Sequence, residues 1–401
     1  MIEFLIFTLV GCFFGIITGI TPGIHINLVA VILLAVSPYL FKYFSPVSVA
    51  CLIVAMSITH TFLDFIPSIF LGAPDDETAL SVLPGHKLLL RGMAYEAVRL
   101  TLIGSLFCLV ITIALIPLLL KIVPWIYLTI KDYIGWILLA VVLYMIFKSG
   151  NPNKIFWSAF VFTLSGILGL ITFNLGLKDP LFPLFSGMFG ISMLFMSIFE
   201  KVVIPTQRVT EMIKIKKKNI GKALGASIFS GTIVSIFPGL GPAQAAVMGS
   251  QLVGRIGIYS YLILVGGINT VSMLIALVTT FTINKARNGS IAVVQQMLQS
   301  TDLKYLVVFV AVALITGGIA TFLCLWLARV FATLINIINY QLLCVIIISL
   351  IISLVFYFSG FLGLLVLIIS TLIGFIPPLI PVPRTQMMGC LLLPVILYFI
   401  L

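Results

Sequence analysis

Gly15-Ile-Ile-Thr-Gly19-Ile-Thr21-Pro22-Gly23-Ile-His25-Ile-Asn27 interrupts an apolar run that otherwise extends from residue 3 to residue 40. Proline removes a backbone donor and clashes with the preceding turn, and glycine then permits a reversal. Phe237-Pro238-Gly239-Leu240-Gly241-Pro242 divides the run between residues 223 and 256 in the same way. Each Pro-Gly pair is either a surface turn between two ordinary spans or a broken, re-entrant helix within the membrane. Non-helical backbone at membrane depth survives only inside protein or against a water-filled cavity. His25, Asn27 and Gln244, polar groups in apolar sequence beside the breaks, favour the re-entrant reading.

The surrounding composition names the solvent. Of 401 residues, 62% are hydrophobic and 8% charged, with a mean hydropathy of +1.30. A soluble domain carries about 25% charged residues, and disorder requires low hydrophobicity. The long unbroken apolar runs also differ from the short alternating strands of an outer-membrane barrel. An all-α polytopic protein of the cell membrane is expected. At about 20 residues per span the chain holds about 12 to 14 segments, with nothing left for a soluble catalytic domain. The net charge of +11 comes from 22 basic against 11 acidic residues. The basic residues sit mostly at segment ends, as membrane topology requires, so nucleic acid is not an expected partner. Cys12, Cys51, Cys108, Cys324, Cys344 and Cys390 are scattered within apolar runs and read as packing residues, with no disulfide framework or zinc site. The first apolar run lacks a basic leader and carries Glu3, so it reads as a retained membrane helix.

Apolar segments are expected at about 3–20, 26–44, 47–72, 97–120, 124–147, 155–175 and 181–199. After a basic connection at 201–222 they resume at about 223–237, 242–256, 259–283, 303–332, 335–357, 360–376 and 385–401. The connection holds Lys201, Arg208, Lys214, Lys216, Lys217, Lys218 and Lys222, which places it in the cytoplasm by the positive-inside rule. It serves as a topology anchor or, alternatively, as a lipid-headgroup contact.

The halves on either side, 1–200 and 223–401, resemble each other. Pro22 and Pro238, Gly23 and Gly239, and Gly15 and Gly231 are all 216 residues apart. The stretch Ala73-Pro74-Asp75-Asp76-Glu77-Thr78 falls opposite Arg287-Asn288-Gly289-Ser290-Ile291-Ala292 at an offset of 214. Duplicated halves typify secondary transporters, and an odd number of spans in the first half makes the repeats inverted. A helix that starts after a break carries unpaired N–H groups and the positive end of the helix dipole, which together attract anions. One such start per half forms an anion clamp.

Four of the eleven acidic residues lie between Asp64 and Glu77. Asp64 falls within an apolar run, where an ionisable residue is a functional candidate. Asp75, Asp76 and Glu77 either cap the helix that follows or bind a cation or proton. Lys285 and Arg287 either end a helix at the interface or pair with a carboxylate. His60 and Asp64 share a helix face at i, i+4, but no HExxH, GxSxG or Walker A motif accompanies them. A membrane enzyme would need His60, Asp64 and His86 to converge.

These residues resemble the large permease subunit of tripartite tricarboxylate transporters, in the shorter archaeal form. The resemblance is carried by Gly15 to Gly23, by Pro67-Ser-Ile-Phe-Leu-Gly-Ala-Pro74, by Pro84-Gly85-His86 and by Arg91-Gly92-Met-Ala-Tyr-Glu-Ala97. In the second half it is carried by Phe237 to Ala246, Gly266-Gly267-Ile-Asn269 and Arg287-Asn288-Gly289-Ser290. It implies two inverted repeats, ion-driven carboxylate uptake, a small membrane subunit and an extracytoplasmic solute-binding protein.

The expectation is therefore a secondary permease, not an enzyme, for a small organic anion, a di- or tricarboxylate, driven by Na⁺ or H⁺. The expected substrate site comprises Thr21, Pro22, Gly23, His25, Asn27, Pro238, Gly239, Gly241, Gln244, Arg287, Asn288, Gly289 and Ser290. Asp64, Asp75 and Asp76 are the expected coupling residues. No cofactor is expected beyond the coupling ion. Membrane lipid surrounds the protein, and a homodimer is compatible with the sequence. The alternative cargo is a lipid-linked anion such as a polyprenyl phosphate.

Overall fold

A computed structural model describes residues 2–22, 26–73, 78–148, 150–177, 180–199, 204–210, 213, 215–236, 241–254, 257–298, 302–336, 340–380 and 382–401. In the first half, helices α1 (Ile2–Ile20), α2 (Ile26–Leu40), α3 (Pro46–Leu63) and α4 (Phe65–Phe70) lead to a 3-10 turn at Ala79–Ser81. Helices α5 (Val82–Leu89), α6 (Ala94–Ile130), α7 (Ile134–Phe147), α8 (Pro152–Asn174) and α9 (Leu181–Phe185) follow, then a π-turn at Ser186–Ile191 and α10 (Ser192–Phe199). The second half contains α11 (Lys217–Ile236), α12 (Pro242–Val253), α13 (Ile258–Ile283), α14 (Gly289–Leu298), α15 (Leu303–Leu334) and α16 (Tyr340–Leu379). A 3-10 turn at Arg384–Met388 and α17 (Gly389–Ile400) close it.

Among the described residues, eight helical stretches are long and apolar enough to cross a membrane, and four apolar helices are shorter. The expected count of about 12 to 14 is approached only if the short helices are included. One expected boundary moves. Helix α6 continues through Pro117 and Pro124 to Ile130, and the break falls at Lys131–Tyr133, which are exposed. Charged side chains there can reach water, so the chain leaves the helix at that point rather than at a proline. The segments expected at 335–357 and 360–376 meet at Gly360 within α16, where the backbone is non-helical and the φ of 62° is costly for any residue with a Cβ, so the expected division stands.

Helix α3 is buried on every side from Ser48 to Leu63, whereas α6, α15 and α16 expose Trp125, Phe322, Trp326 and Tyr357. In a lipid solvent that contrast puts α3 at the centre and the others at the lipid boundary. Small residues let α1 approach α3. A Cβ on Gly15 would come within 2.7 Å of the Met56 carbonyl, and one on Gly19 within 2.9 Å of Leu63 Cβ. Close backbone approach of this kind drives helix association in membranes. At the other end, the Ser45 N–H donates to the Glu3 carboxylate at 3.0 Å. These contacts make α1 and α3 parallel. The chain therefore reverses beside Leu63, seven residues before α4 ends at Phe70, or about 10 Å short of that end.

Helices α11 and α13 repeat this packing. Ser227, Gly231 and Ser235 stand 216 residues after Gly11, Gly15 and Gly19. Ser227 donates to the Leu264 carbonyl, Gly231 meets Ile268 and Val271, and Ser235 donates to Ser272. Leu264, Ile268, Val271 and Ser272 stand 212 residues after Leu52, Met56, Thr59 and His60, which are contacts of the α1 glycines. The halves also interleave. Helix α6 packs on α13 and α15 on α3, while α8 packs on α17 and the π-turn on α16. A Cβ on Gly104 would overlap the Ile263 carbonyl, and one on Gly169 the Cys390 carbonyl. Each half thus completes its core against the other.

Part of the basic connection is a docked strap. Gln207 is buried. Its carboxamide oxygen accepts from Ala94 N at 3.0 Å, its Nε2 donates to the Leu89 carbonyl at 2.9 Å, and its N–H donates to Asn336 at 2.7 Å. It thereby caps α6 from more than a hundred residues away. Glu96, 1% exposed, accepts from Arg208 Nε at 2.7 Å and from the Thr210 hydroxyl at 3.3 Å. Replacing Gln207 with alanine removes a helix cap and orphans buried groups. A loss of about 2 kcal/mol is expected, read as a lower unfolding temperature of the purified protein. An unchanged temperature would show that the strap is not needed to hold the fold.

Candidate functional site

The sequence predicts that the starts of α2 and α12 face each other. Among the described residues, each of these helices packs on a different set of elements. Asn27, in the first turn of α2, lies against α14, where a Cβ on Gly289 would sit 2.7 Å from its carboxamide. Helix α12 packs against the turns Ala79–Ser81 and Arg384–Met388. Two junctions result, one where α2 meets α14 and one around the turns Ala79–Ser81 and Arg384–Met388.

The first junction is polar. Ile26, Asn27, Ser57, His60, Thr61, Met273, Asn288 and Ser290 line a cavity of about 10 Å³, the space of one water molecule. Ser57 donates to Ser290 at 3.1 Å. Asn288 Oδ1 accepts from Ile291 N at 2.8 Å and from the Ser290 hydroxyl at 3.3 Å, so Asn288 caps α14. His60 Nδ1 and the Thr18 hydroxyl are 3.2 Å apart. Thr21 and Pro22 follow the end of α1 and are partly buried. Gly23 and His25 lie outside the described residues, as do Pro238, Gly239, Asp75 and Asp76. Gly241 starts α12, where its N–H donates to the Gln244 side chain at 3.0 Å, so Gln244 caps its own helix.

Beside the first junction, Lys285 Nζ donates to the Tyr127 hydroxyl at 2.6 Å, and the Arg287 guanidinium stacks over the Tyr127 ring at 5.5 Å. Arg287 Nε and Nη2 are buried and make no hydrogen bond among the described residues. Partial burial holds the Arg287 pKa below its ordinary value, against an opposing effect of Tyr127.

One turn beyond His60 on α3, Asp64 is 3% exposed and accepts from Asn269 Nδ2 at 2.6 Å. Asn269 itself is 1% exposed, and its Oδ1 has no donor among the described residues. As α3 proceeds from Ser57 to Asp64, its neighbours on α13 step back from Met273 to Asn269. Sequence reasoning singled out Asp64 but missed Asn269 as its partner. The available signal was a lone amide within the apolar run 259–283.

The second junction opens on a cavity of about 240 Å³ lined by Ala79, Leu80, Val82, Pro84, Phe189, Tyr261, Pro383, Arg384 and Thr385. His86 is close by, with Nε2 3.0 Å from the Tyr340 hydroxyl. Burial, and then the positive charge of Arg384, hold its pKa down at about 4, so the imidazole is neutral at physiological pH. His60, Asp64 and His86 have hydrogen-bonding neighbours in Thr18, Asn269 and Tyr340 respectively. No group of three His, Cys, Asp or Glu side chains suited to a metal occurs among the described residues.

Comparison with known proteins places this architecture. The chain is 30% identical over 410 aligned positions, covering 99% of both chains, to "Uncharacterized protein MJ1079" of Methanocaldococcus jannaschii. No solved structure matches it. A family model matches residues 5–389, and on that match the chain belongs to the Tripartite tricarboxylate transporter TctA family.

Proposed function

We propose that this multi-pass membrane protein is the permease of an ion-driven uptake system for a small organic anion carrying carboxylate groups. The observation that supports this best is Arg287. It presents two buried nitrogens without acceptors among the described residues, beside the junction of α2 and α14, and a guanidinium fork holds a carboxylate through parallel hydrogen bonds. Asn27, Ser290 and the start of α14 surround the bound group with further donors.

The two halves act as inverted repeats. Support comes from the matched packing of α1 on α3 and α11 on α13, and from the opposed senses in which α3 and α13 pass each other. The Asn27 junction, with room for one water, is the closed side of an alternating-access cycle. Asp64, buried between the junctions, takes the coupling Na⁺ or H⁺, with Asp75 and Asp76 as further candidates. The basic connection 201–222 faces the cytoplasm. A small membrane subunit and an extracytoplasmic solute-binding protein complete the system, as the family description suggests.

The test is uptake of labelled citrate, succinate and phenylacetate into proteoliposomes under an imposed Na⁺ or proton gradient. Gradient-driven uptake of any of them, reduced by Arg287→Gln, is the expected result. If the protein transports none of the three under either gradient, the proposal fails.

A further inference from the structure

The second junction differs from the first in its chemistry. Where the first junction is lined by amides and hydroxyls, the second is lined largely by apolar side chains. Its cavity of about 240 Å³ is walled by these residues with Val82, Pro84 and Phe189, and by Tyr261 of α13. Arg384 is the single charged residue in the lining. It is half-buried, and its side chain makes no hydrogen bond or ion pair among the described residues.

A guanidinium withdrawn from water without an anion is unfavourable. Its planar fork of donors matches one carboxylate. A second or third carboxylate would lie against Leu80, Val82, Pro84 or Phe189, with no cation in the lining to offset the loss of hydration. The cavity is also remote from the Arg287 site. Tyr261 lines it and Met273 lines the first junction. These residues are twelve positions apart on α13, or about 18 Å, too far for one small acid to engage both arginines.

We propose that the Arg384 cavity is a second anion site, selective for a soluble monocarboxylate with an apolar body. The carboxylate pairs with Arg384, and the apolar body lies against Leu80, Val82 and Phe189. The apolar walls contribute through area removed from water, and Arg384 supplies orientation and charge selectivity.

Isothermal titration of the purified protein in phosphatidylcholine nanodiscs tests this, with phenylacetate and citrate as probes. Phenylacetate should bind, and citrate should bind about tenfold or more weaker. Arg384→Gln should weaken phenylacetate by about tenfold or more, as expected for loss of a charged hydrogen-bonding partner. Arg384→Lys should weaken it less, and Leu80→Trp, which fills the cavity, should abolish it with Arg384 intact. If Arg384→Gln does not fold, Leu80→Trp decides alone. Citrate binding as tightly as phenylacetate overturns the proposal. So does phenylacetate binding that is indifferent to Arg384→Gln and Leu80→Trp, or that is abolished when phosphatidylglycerol is added to the nanodisc. The site does not depend on the uptake proposed above. Binding that tracks Arg384 without any uptake would remove only the permease proposal. Uptake without such binding would remove only this one.

Discussion

Asn269→Leu is expected to destabilise the protein by about 3–5 kcal/mol, the cost of removing one partner from a buried hydrogen-bonded charge. Asn269 and Asp64 are 1% and 3% exposed, and the bond between them is 2.6 Å long. Leucine matches the shape of asparagine but donates nothing, so the carboxylate keeps its desolvation penalty and loses a donor. Against a typical margin of 5–15 kcal/mol the loss is large. Unfolding temperatures in detergent provide the measurement. Asp64→Asn should cost less, because it removes the charge that needs solvating. The double variant Asp64→Asn/Asn269→Leu should be more stable than the sum of the two single losses predicts. An Asn269→Leu protein as stable as wild type would show that this bond contributes nothing. The same pair bears on coupling, since it lies between the two junctions on the two central helices. A folded Asp64→Asn protein that still accumulates substrate against a gradient would exclude Asp64 as the coupling group.

Gly289→Ala should leave the fold intact and lower uptake by about a hundredfold, the scale of loss when a site group is displaced by an ångström. The added Cβ would sit 2.7 Å from the Asn27 carboxamide. That carboxamide ends a side chain that can turn away, so the clash is relieved at a cost of about 1 kcal/mol or less in stability. Turning away takes Asn27 out of the junction with Ser57 and Ser290. The contrast is Gly104→Ala, where the new atom would overlap a backbone carbonyl of α13 that cannot move alone. There the expected loss is in folded protein, visible before any transport is measured. Unaltered uptake by Gly289→Ala, at wild-type stability, would place the substrate path elsewhere.

Much of the fold was legible along the chain because the solvent is lipid. Apolar length identifies a span, so α1 to α3 and α11 to α13 fall close to their expected places. Errors occurred where local rules give way to context. A boundary was expected between 120 and 124, but α6 continues through Pro124 and the exposed Lys131–Tyr133 end it. The site was less legible. Asn27, Asn288, Gly289 and Ser290 were each singled out, but the proposed partner of Asn27 was the start of α12. Gln244 was read as a ligand, whereas its oxygen caps its own helix. Arg384 and Gln207 were not noticed, because an arginine or a glutamine near a loop has no pattern that separates a buried group from a solvated one.

By itself the sequence determined the medium and the helical class, because each depends on residue type and spacing along one chain. The tertiary structure alone decided which break meets which: α2 with α14, and α12 with the turns at 79–81 and 384–388. Such pairings arise when helices too short to cover their own apolar faces pack on elements distant along the chain, and that fit depends on contacts between residues more than a hundred positions apart.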